Sequence, residues 1–154
     1  MQARLRRLNA DYQRVSHLFG EHPYICLVSV GGDPPDRYTF EFHVSSVVLN
    51  ADEQVVVKSS HQAQVFLPID YPRRPPFCRM ITPVFHPNID PQKICIGDHW
   101  SAGQSLAQLI VRIAEMLCYQ SYNVRSPLNA SAAVWAQHNL SRLPLQQIDL
   151  TAGL

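Results

Sequence analysis

The sequence predicts an α+β fold in which an N-terminal helix precedes an antiparallel meander of about four strands, an irregular loop and C-terminal helices. Three observations support this prediction. Apolar residues recur at helical spacing near both ends of the chain. Short runs rich in β-branched and aromatic residues alternate with turn residues in the first half. Residues 83–103 follow neither pattern. All 154 residues are expected to form one domain, 1–154.

The first element is predicted to be an amphipathic helix over residues 3–19. It ends at Gly20, a residue typical of helix C-termini. Its apolar stripe consists of Leu5, Leu8, Tyr12, Val15 and Phe19. Three arginines, Arg4, Arg7 and Arg14, lie mainly off this stripe. They predict a basic helix face.

The strands are predicted from runs that favour extended backbone. The runs are Tyr24–Val30, Tyr38–Val48, Gln54–Lys58, Gln62–Leu67 and Phe77–Thr82. Turn residues at 31–35, 50–52 and 70–76 separate most of them. Short strands joined by tight turns favour antiparallel pairing.

Two helices are predicted after the irregular loop of residues 83–103. Ser105 and Gln108 form a capping box at the start of the first, and strong apolar periodicity carries it to Leu117. Asn129 is the predicted N-cap of the second, which runs to about His138. A long irregular loop inside a compact domain is typical of a functional segment.

Composition excludes several classes of protein. A net charge of +1 gives no field that would attract nucleic acid. No apolar run approaches the roughly 20 residues that cross a bilayer, and no secretory signal is recognised. Four cysteines are too few for a disulfide scaffold. We therefore expect a cytoplasmic protein that binds neither nucleic acid nor membrane.

Only one cysteine has a sequence environment that favours chemistry. Cys26 and Cys78 fall within predicted strands and Cys118 lies late in the strong helix, so all three are predicted to be small core residues. Cys95 instead lies between irregular, polar stretches, where another protein can reach a thiol.

Local chemistry leaves three uses of Cys95 open. The first is hydrolysis by a Cys–His pair, with His86 or His99 as the base. The second is a metal site built from His86, Cys95, Asp98 and His99, although this spacing matches no common zinc pattern. The third is acyl carriage, in which the thiol holds a thioester and hands it to an amine.

Several motifs in fixed order favour acyl carriage, because together they resemble those of ubiquitin-conjugating enzymes. The motifs are YPxxPP at Tyr71–Pro76, HPN at His86–Asn88, the active-site ICL at Ile94–Ile96, Trp100, and Pro127–Asn129 followed by Ala132 and Ala133. The resemblance is specific over residues 66–136 and implies a UBC-like fold. The stretches Cys95–Gly97 and Tyr119–Asn123 and the short spacing to Trp100 resemble the divergent bacterial branch of the family.

The resemblance implies a role for each matching residue. Cys95 would carry a ubiquitin-like protein as a thioester, and Asn88 would donate a hydrogen bond to the oxyanion of each acyl transfer. His86 would order the loop rather than act as a base. Asp90 and Ser126 would lie near the incoming amine, although Ser126 replaces the acidic residue often found there. No cofactor and no metal are implied, since an upstream activating enzyme consumes the ATP.

The expected partners are a ubiquitin-like protein, its activating enzyme, a target protein amine and, in some reactions, a ligase. The resemblance implies that the face bearing Arg4, Arg7 and Arg14 docks on the activating enzyme. It also implies that Arg73–Pro76 form a ligase or target surface and that the donor lies against the helix from Ser105. The bacterial resemblance associates the chain with antiviral defence. A non-catalytic variant that binds ubiquitin-like proteins and a cysteine hydrolase remain the rival interpretations.

Overall fold

The computed structural model describes residues 2–96 and 100–154 and confirms the α+β class. The elements in chain order are α1 (Gln2–Phe19), β1 (Ile25–Gly32), β2 (Pro35–Phe42), β3 (Ser46–Leu49), β4 (Val55–Lys58), β5 (His61–Phe66), β6 (Phe77–Met80), α2 (Leu106–Leu117) and α3 (Ala130–His138). A 3-10 turn, Leu140–Arg142, follows α3. No helix of the described residues has the length and apolar character that crossing a bilayer requires.

Four strands form one antiparallel sheet in the order β1-β2-β5-β6. Alternate residues of β2, namely Tyr38, Phe40 and Phe42, point into the core with at most 2% of their surface exposed. The helix α1 packs against α2 and against strands β1 and β2, so the core lies between the helices and one face of the sheet.

The predicted single strand Tyr38–Val48 is wrong, because the chain leaves the sheet after Phe42. The His43 N–H donates to the Tyr24 carbonyl at 2.7 Å, and the Ser45 N–H donates to the Gln146 side chain at 2.7 Å. The first bond extends the β1–β2 ladder by one more pair, the second ties Ser45 to the C-terminal segment, and β3 then pairs with β4 as a separate hairpin. A continuous β-branched run does not show where the hydrogen-bond partner changes.

The prediction that Cys26 is a core residue is also wrong. Side chains of a strand alternate between the two faces of the sheet. Because Ile25 is buried, Cys26 lies on the outer, exposed face of β1. Cys78 and Cys118 are buried, as predicted.

The predicted helix starts after the irregular loop are confirmed. The Ser105 hydroxyl accepts from the Gln108 N–H at 3.1 Å, and the Gln108 side chain accepts from the Ser105 N–H at 3.0 Å, which completes the capping box. The Asn129 side chain accepts from the Ala132 N–H at 3.0 Å and caps α3. These caps fix where the irregular loop ends and where the segment that connects α2 to α3 ends.

The inner stripe of α1 contains a buried carboxylate that apolar periodicity missed. Leu5, predicted to face the core, is 38% exposed, whereas Asp11 is 3% exposed. Asp11 accepts hydrogen bonds from the Tyr71 hydroxyl, from Arg7 at 2.8 Å and from the Leu106 N–H at 3.2 Å. A buried carboxylate is tolerated when its oxygens are paired in this way. The cluster joins α1 to the YPxxPP segment and to the start of α2.

Two buried tyrosines provide a matched test of this cluster. Tyr71 and Tyr38 are each 2% exposed, but within the described residues only the Tyr71 hydroxyl has a partner. We expect Tyr71→Phe to lower the free energy of unfolding by about 2 kcal/mol, because it removes a donor to a buried carboxylate. We expect Tyr38→Phe to leave that free energy unchanged or raise it. Urea unfolding of both variants checks the pair, and equal losses would contradict it.

Candidate active site

Cys95 lies where the irregular loop folds back along the last strand of the sheet. The Met80 N–H donates to the Gln92 carbonyl at 2.7 Å, and the Ile94 N–H donates to the Cys78 carbonyl at 3.0 Å. The Cys95 N–H donates to the Asn88 carbonyl at 3.0 Å. Cys95 is thus held between β6 and the HPN turn. Its side chain is half-buried.

His86 organises the HPN turn from the inside. Its Nε2 donates to the Met116 carbonyl at 2.8 Å, at the end of α2, and its Nδ1 accepts the Asn88 N–H at 3.0 Å. The ring is fully buried and packs on Tyr119 at 4.8 Å between centroids. Burial lowers the pKa of His86 to about 4, so the ring is neutral near pH 7. With both nitrogens engaged, it orders the turn and has no free lone pair for Cys95 or a metal.

This neutral imidazole predicts that acid destabilises the fold. In the unfolded chain a histidine has a pKa of roughly 6.5, so between that value and about 4 the unfolded state binds a proton that the native state excludes. The free energy of unfolding therefore falls as the pH drops through this window, by about 3 kcal/mol at pH 4 for His86. His61, whose pKa is lowered by burial, acts in the same direction.

Urea unfolding between pH 7.5 and 4 measures this loss. Glu115, whose pKa is raised by burial, acts in the opposite direction, so the comparison with a His86→Gln variant isolates the His86 contribution. We expect the variant to be less stable at pH 7.5 and to lose less on acidification. Parallel profiles for the two proteins would contradict the assignment.

Asn88 is held by a two-point clamp on the backbone of Asn123. Its Nδ2 donates to the Asn123 carbonyl at 2.7 Å, and its Oδ1 accepts the Asn123 N–H at 2.9 Å. A carboxamide has two N–H donors, and the clamp uses one. Asn88 is 6% exposed. The clamp fixes the plane of the carboxamide, and within the described residues the second N–H has no acceptor.

The middle residue of the turn, Pro87, connects the HPN motif to the start of α3. Its carbonyl accepts the N–H groups of Leu128 and Asn129, at 2.9 and 3.1 Å. The HPN turn therefore binds the end of α2 through His86, the following loop through Asn88 and the Pro-Leu-Asn motif through Pro87. Sequence motifs about 40 residues apart meet here through backbone groups.

Two clefts open on either side of Cys95, and we name each after its lining residues. The proline cleft, of about 420 Å³, is lined by Pro68, Arg74, Pro75, Pro76, Phe77, Cys78, Lys93, Ile94, Cys95, Ile96 and Leu128. The arginine cleft, of about 390 Å³, is lined by Asn88, Cys95, Arg112, Met116, Ser121, Tyr122, Asn123, Arg125 and Ser126. Cys95 is the one residue that the two described linings share.

The structure brings some predicted site residues together and separates others. Ser126 lines the arginine cleft with Cys95 and Asn88. Asp90 is exposed on the turn before Cys95, where its N–H donates to the Lys93 carbonyl at 3.1 Å, and it is not among the described residues that line either cleft. Asp98 and His99, considered as metal ligands, with His99 also considered as a base for Cys95, lie outside the described residues.

The predicted basic face of α1 is partly committed to internal contacts. Arg7 donates to Asp11, to the Tyr71 hydroxyl and to the carbonyls of Ala102 and Gln104. Burial alone would lower the pKa of Arg7, but the hydrogen bond and charge of Asp11 and the charge of Tyr71 outweigh burial and raise it. Arg7 therefore holds the loop before α2, and its role in docking stays a prediction.

Of the other two arginines of this face, Arg4 is half-buried like Arg7, and only Arg14 is exposed. Arg4 donates to the Pro68 carbonyl at 3.1 Å, and the exposed Arg14 donates to the Gly153 carbonyl at 3.2 Å. Docking through either residue stays a prediction.

The site contains residues that sequence reasoning missed. Asn123 acts through its backbone, which carries no sequence signature. Arg112 appears in the sequence as an ordinary polar position of an amphipathic helix, and Arg125 as an ordinary loop residue. Only the packing of the α2–α3 connection against the HPN turn places them in one cleft with Cys95.

Comparisons with known proteins concern the sequence and the fold. Residues 34–147 match the model of a family described as ubiquitin-conjugating enzyme. The chain is 28% identical over 110 residues to ubiquitin-conjugating enzyme E2 3 of Arabidopsis thaliana, covering 69% of this chain and 71% of that protein. It is 31% identical over 107 residues to ubiquitin-conjugating enzyme E2 N of Drosophila melanogaster, covering 66% and 68%.

Among solved structures, the chain resembles a ubiquitin conjugating enzyme from Trypanosoma cruzi with a TM-score of 0.67. The superposition covers 90% of this chain and 93% of that chain at 18% sequence identity. At this identity the likeness concerns the fold alone, and it confirms the UBC-like architecture.

Proposed function

The chain belongs to the ubiquitin-conjugating enzyme family, and we propose that it accepts a ubiquitin-like protein as a thioester on Cys95 and transfers it to an amine. The observation that carries the proposal is the position of Cys95. It is half-buried, its backbone is fixed to the HPN turn, and clefts reach it from two sides. A partner's thioester and an acceptor amine both need access to the same sulfur, and two clefts provide it.

The other cysteines suit this role less well. Burial raises the pKa of the Cys78 thiol and of the Cys118 thiol, and both residues are enclosed in the core. Cys26 is exposed, but it lies on the outer face of β1, away from the HPN turn. Access alone therefore does not distinguish Cys95, whereas access combined with a neighbouring amide donor does.

The proposed reaction consists of two acyl transfers. In the first, the Cys95 thiolate attacks the thioester carbonyl on the activating enzyme. A bond to Cys95 sulfur forms, and the activating enzyme's cysteine leaves as a thiolate that takes up a proton from water. In the second, a neutral lysine amine attacks the thioester on Cys95. An isopeptide bond forms, the Cys95 sulfur leaves, and the amine proton passes to solvent or to a neighbouring base.

Asn88 is the proposed donor to the oxyanion of both steps. Each tetrahedral intermediate carries negative charge on the former carbonyl oxygen, and a fixed N–H donor stabilises it without reorganisation. The clamp on Asn123 supports this role, because it orients the Asn88 carboxamide and uses only one of the two carboxamide N–H groups. His86 contributes by fixing the Asn88 backbone.

The acceptor lysine must lose a proton before it attacks, and its reference pKa is roughly 10.4. Enclosure beside Cys95 lowers that pKa by disfavouring the charged form. We assign Ser126, which lines the arginine cleft, and Asp90, on the adjacent turn, as polar groups near the amine. The remaining proposals rest on the resemblance to the family: an activating enzyme that docks on α1, a target protein, a ligase for some targets, no cofactor and one domain. A bacterial, cytoplasmic setting is proposed from the stretches Cys95–Gly97 and Tyr119–Asn123 and from the short spacing to Trp100.

The loading test combines the protein with ATP, an activating enzyme and candidate ubiquitin-like proteins. We expect an adduct that a thiol reductant removes and that peptide mapping locates to Cys95. An adduct on the exposed Cys26 instead would overturn the proposal. Binding of the ubiquitin-like protein with no adduct would identify the non-catalytic rival. Peptide hydrolysis that requires Cys95 would identify the hydrolase, for which His99 is the remaining neighbouring imidazole by sequence.

A further inference from the structure

We propose that the arginine cleft receives the C-terminal tail of the carried ubiquitin-like protein and selects a tail that bears carboxylates over one that bears arginine or lysine. This inference rests on the proposed function, since it concerns the donor that Cys95 accepts. It names the chemistry of the partner, which the family assignment leaves open.

The charge of the cleft carries the argument. Two guanidinium groups, Arg112 on α2 and Arg125 on the segment after it, line the cleft with Cys95. No carboxylate is among the described lining residues, and within the described part of the chain neither guanidinium makes a salt bridge or a side-chain hydrogen bond. Two guanidinium groups in one concave site whose described lining contains no carboxylate focus a positive potential there.

The route of the tail follows from a second cavity. Arg112 also lines a cavity of about 480 Å³ on the outward face of α2, together with Gln108 and Glu115. Arg112 therefore lies between the outward face of α2, where we expect the donor to bind, and the arginine cleft that contains Cys95. A tail that runs from the face to the sulfur passes Arg112 first and then enters the cleft beside Arg125.

The balance of charge changes along this route. On the outer cavity Glu115 offsets Arg112, and the charge of Arg112 partly counters the rise in the pKa of Glu115 that burial causes. Within the cleft Arg125 has no such counter-charge among the described residues. Selection by charge therefore acts on the last part of the tail.

Helix geometry limits how many tail positions are selected. The positions from Gln108 to Met116 span about 12 Å at 1.5 Å of rise per residue. An extended chain covers that distance in about four residues. The route from the outer cavity through the cleft therefore takes up about the four residues that precede the terminal glycine of the carried protein, and we expect the selected positions to be those of the four that lie within the cleft.

Short peptide thioesters test the inference without an activating enzyme. Two peptides that end in the same Gly-Gly thioester with the same leaving thiol are compared, one with two glutamates among the preceding four residues and one with two arginines there. The Cys95 thiolate attacks the peptide carbonyl, the new bond to Cys95 sulfur forms, and the leaving thiolate takes up a proton from water. Intact-mass spectrometry measures the rate of adduct formation.

At low ionic strength we expect the acidic peptide to load about fivefold faster than the basic one, an advantage that shrinks at about 0.5 M salt. The variants Arg112→Glu and Arg125→Glu are each expected to reduce the preference, and the double variant to reverse it. Arg6→Glu, an exposed change of the same charge on α1, is the matched control and should keep the wild-type preference.

The outcomes separate this inference from the proposed function. Loading of Cys95 at equal rates by both peptides, or faster loading by the basic one, would overturn the inference and leave thioester formation intact. A preference that changes equally in Arg6→Glu would show a general charge effect and would also overturn it. Absence of any adduct with either peptide would count against the proposed function itself.

Discussion

Cys95→Ala is expected to abolish the reductant-sensitive adduct with a ubiquitin-like protein, because no other described thiol combines access with a neighbouring amide donor. The loss should be complete rather than partial, since alanine has no nucleophile and the proposed reaction has no route that bypasses the sulfur. The fold should be retained. Cys95 is half-buried, and its described anchor is a backbone N–H, which alanine keeps. Non-reducing electrophoresis after incubation with ATP, activating enzyme and ubiquitin-like protein measures the loss, and thermal unfolding verifies the fold.

Two further variants make this result specific. Cys26→Ala removes an exposed thiol on β1 and is expected to leave adduct formation unchanged. Cys95→Ser keeps a weaker nucleophile, and we expect a slower-forming oxyester that survives reductant and yields to alkali. An adduct that persists in Cys95→Ala and vanishes in Cys26→Ala would contradict the assignment of the acyl carrier.

The parts of the fold that sequence predicted well are those with local signals. Helix caps are one example, because a Ser105 hydroxyl or an Asn129 amide satisfies N–H groups only three residues away. Strand partnership is different, since it depends on residues distant in sequence. The chain leaves the sheet just after Phe42, where Ser45 bonds the distant Gln146, and no local pattern shows this change of partner. The same limit hid the buried Asp11, whose partners lie in two other segments.

In the candidate site, too, local motifs were predictable and contacts between distant segments were not. Motif order selected Cys95, Asn88 and His86, and the structure gathers these residues in one turn. What holds them is mostly backbone: the carbonyls of Met116 and Asn123 and the N–H groups of Leu128 and Asn129. Every residue has these groups, so their use is invisible in sequence. The arginine cleft was missed for a related reason, because its charge arises only when α2 and the following segment meet.

Asn88→Ala is expected to slow discharge of the Cys95 thioester to lysine by about 100- to 1000-fold, the usual cost of removing one oxyanion donor. A slower rate in this variant can also arise from a less stable fold, because the same carboxamide holds the Asn123 backbone. Loss of the clamp alone would lower the free energy of unfolding by about 1–2 kcal/mol, since the released groups belong to an exposed residue that water can solvate. Stability and chemistry must therefore be measured on the same preparation.

Single-turnover discharge to free lysine separates the two roles. An oxyanion donor acts only in the transition state, so the rate at saturating lysine should fall while the lysine concentration for half-maximal rate stays constant. Asn88→Asp is the informative companion. It keeps an acceptor for the Asn123 N–H but replaces the donor with a carboxylate, and we expect it to discharge at least as slowly as the alanine variant. Ser126→Ala, in the same cleft, should slow discharge by less than about fivefold, the scale of one neutral hydrogen bond.

Each role of Asn88 thus predicts a different relation between the discharge rate and the free energy of unfolding. If Asn88 only shapes the turn, each variant should lose rate only as far as it loses stability, and the aspartate should lose more stability because its carboxylate faces the Asn123 carbonyl that Asn88 Nδ2 contacts at 2.7 Å. If Asn88 stabilises the oxyanion, both variants should lose far more rate than their stability explains, and the aspartate most, since a second negative charge beside a developing oxyanion opposes its formation. Wild-type discharge by a folded Asn88→Ala protein would end the oxyanion proposal and leave Cys95 as a carrier activated by other means.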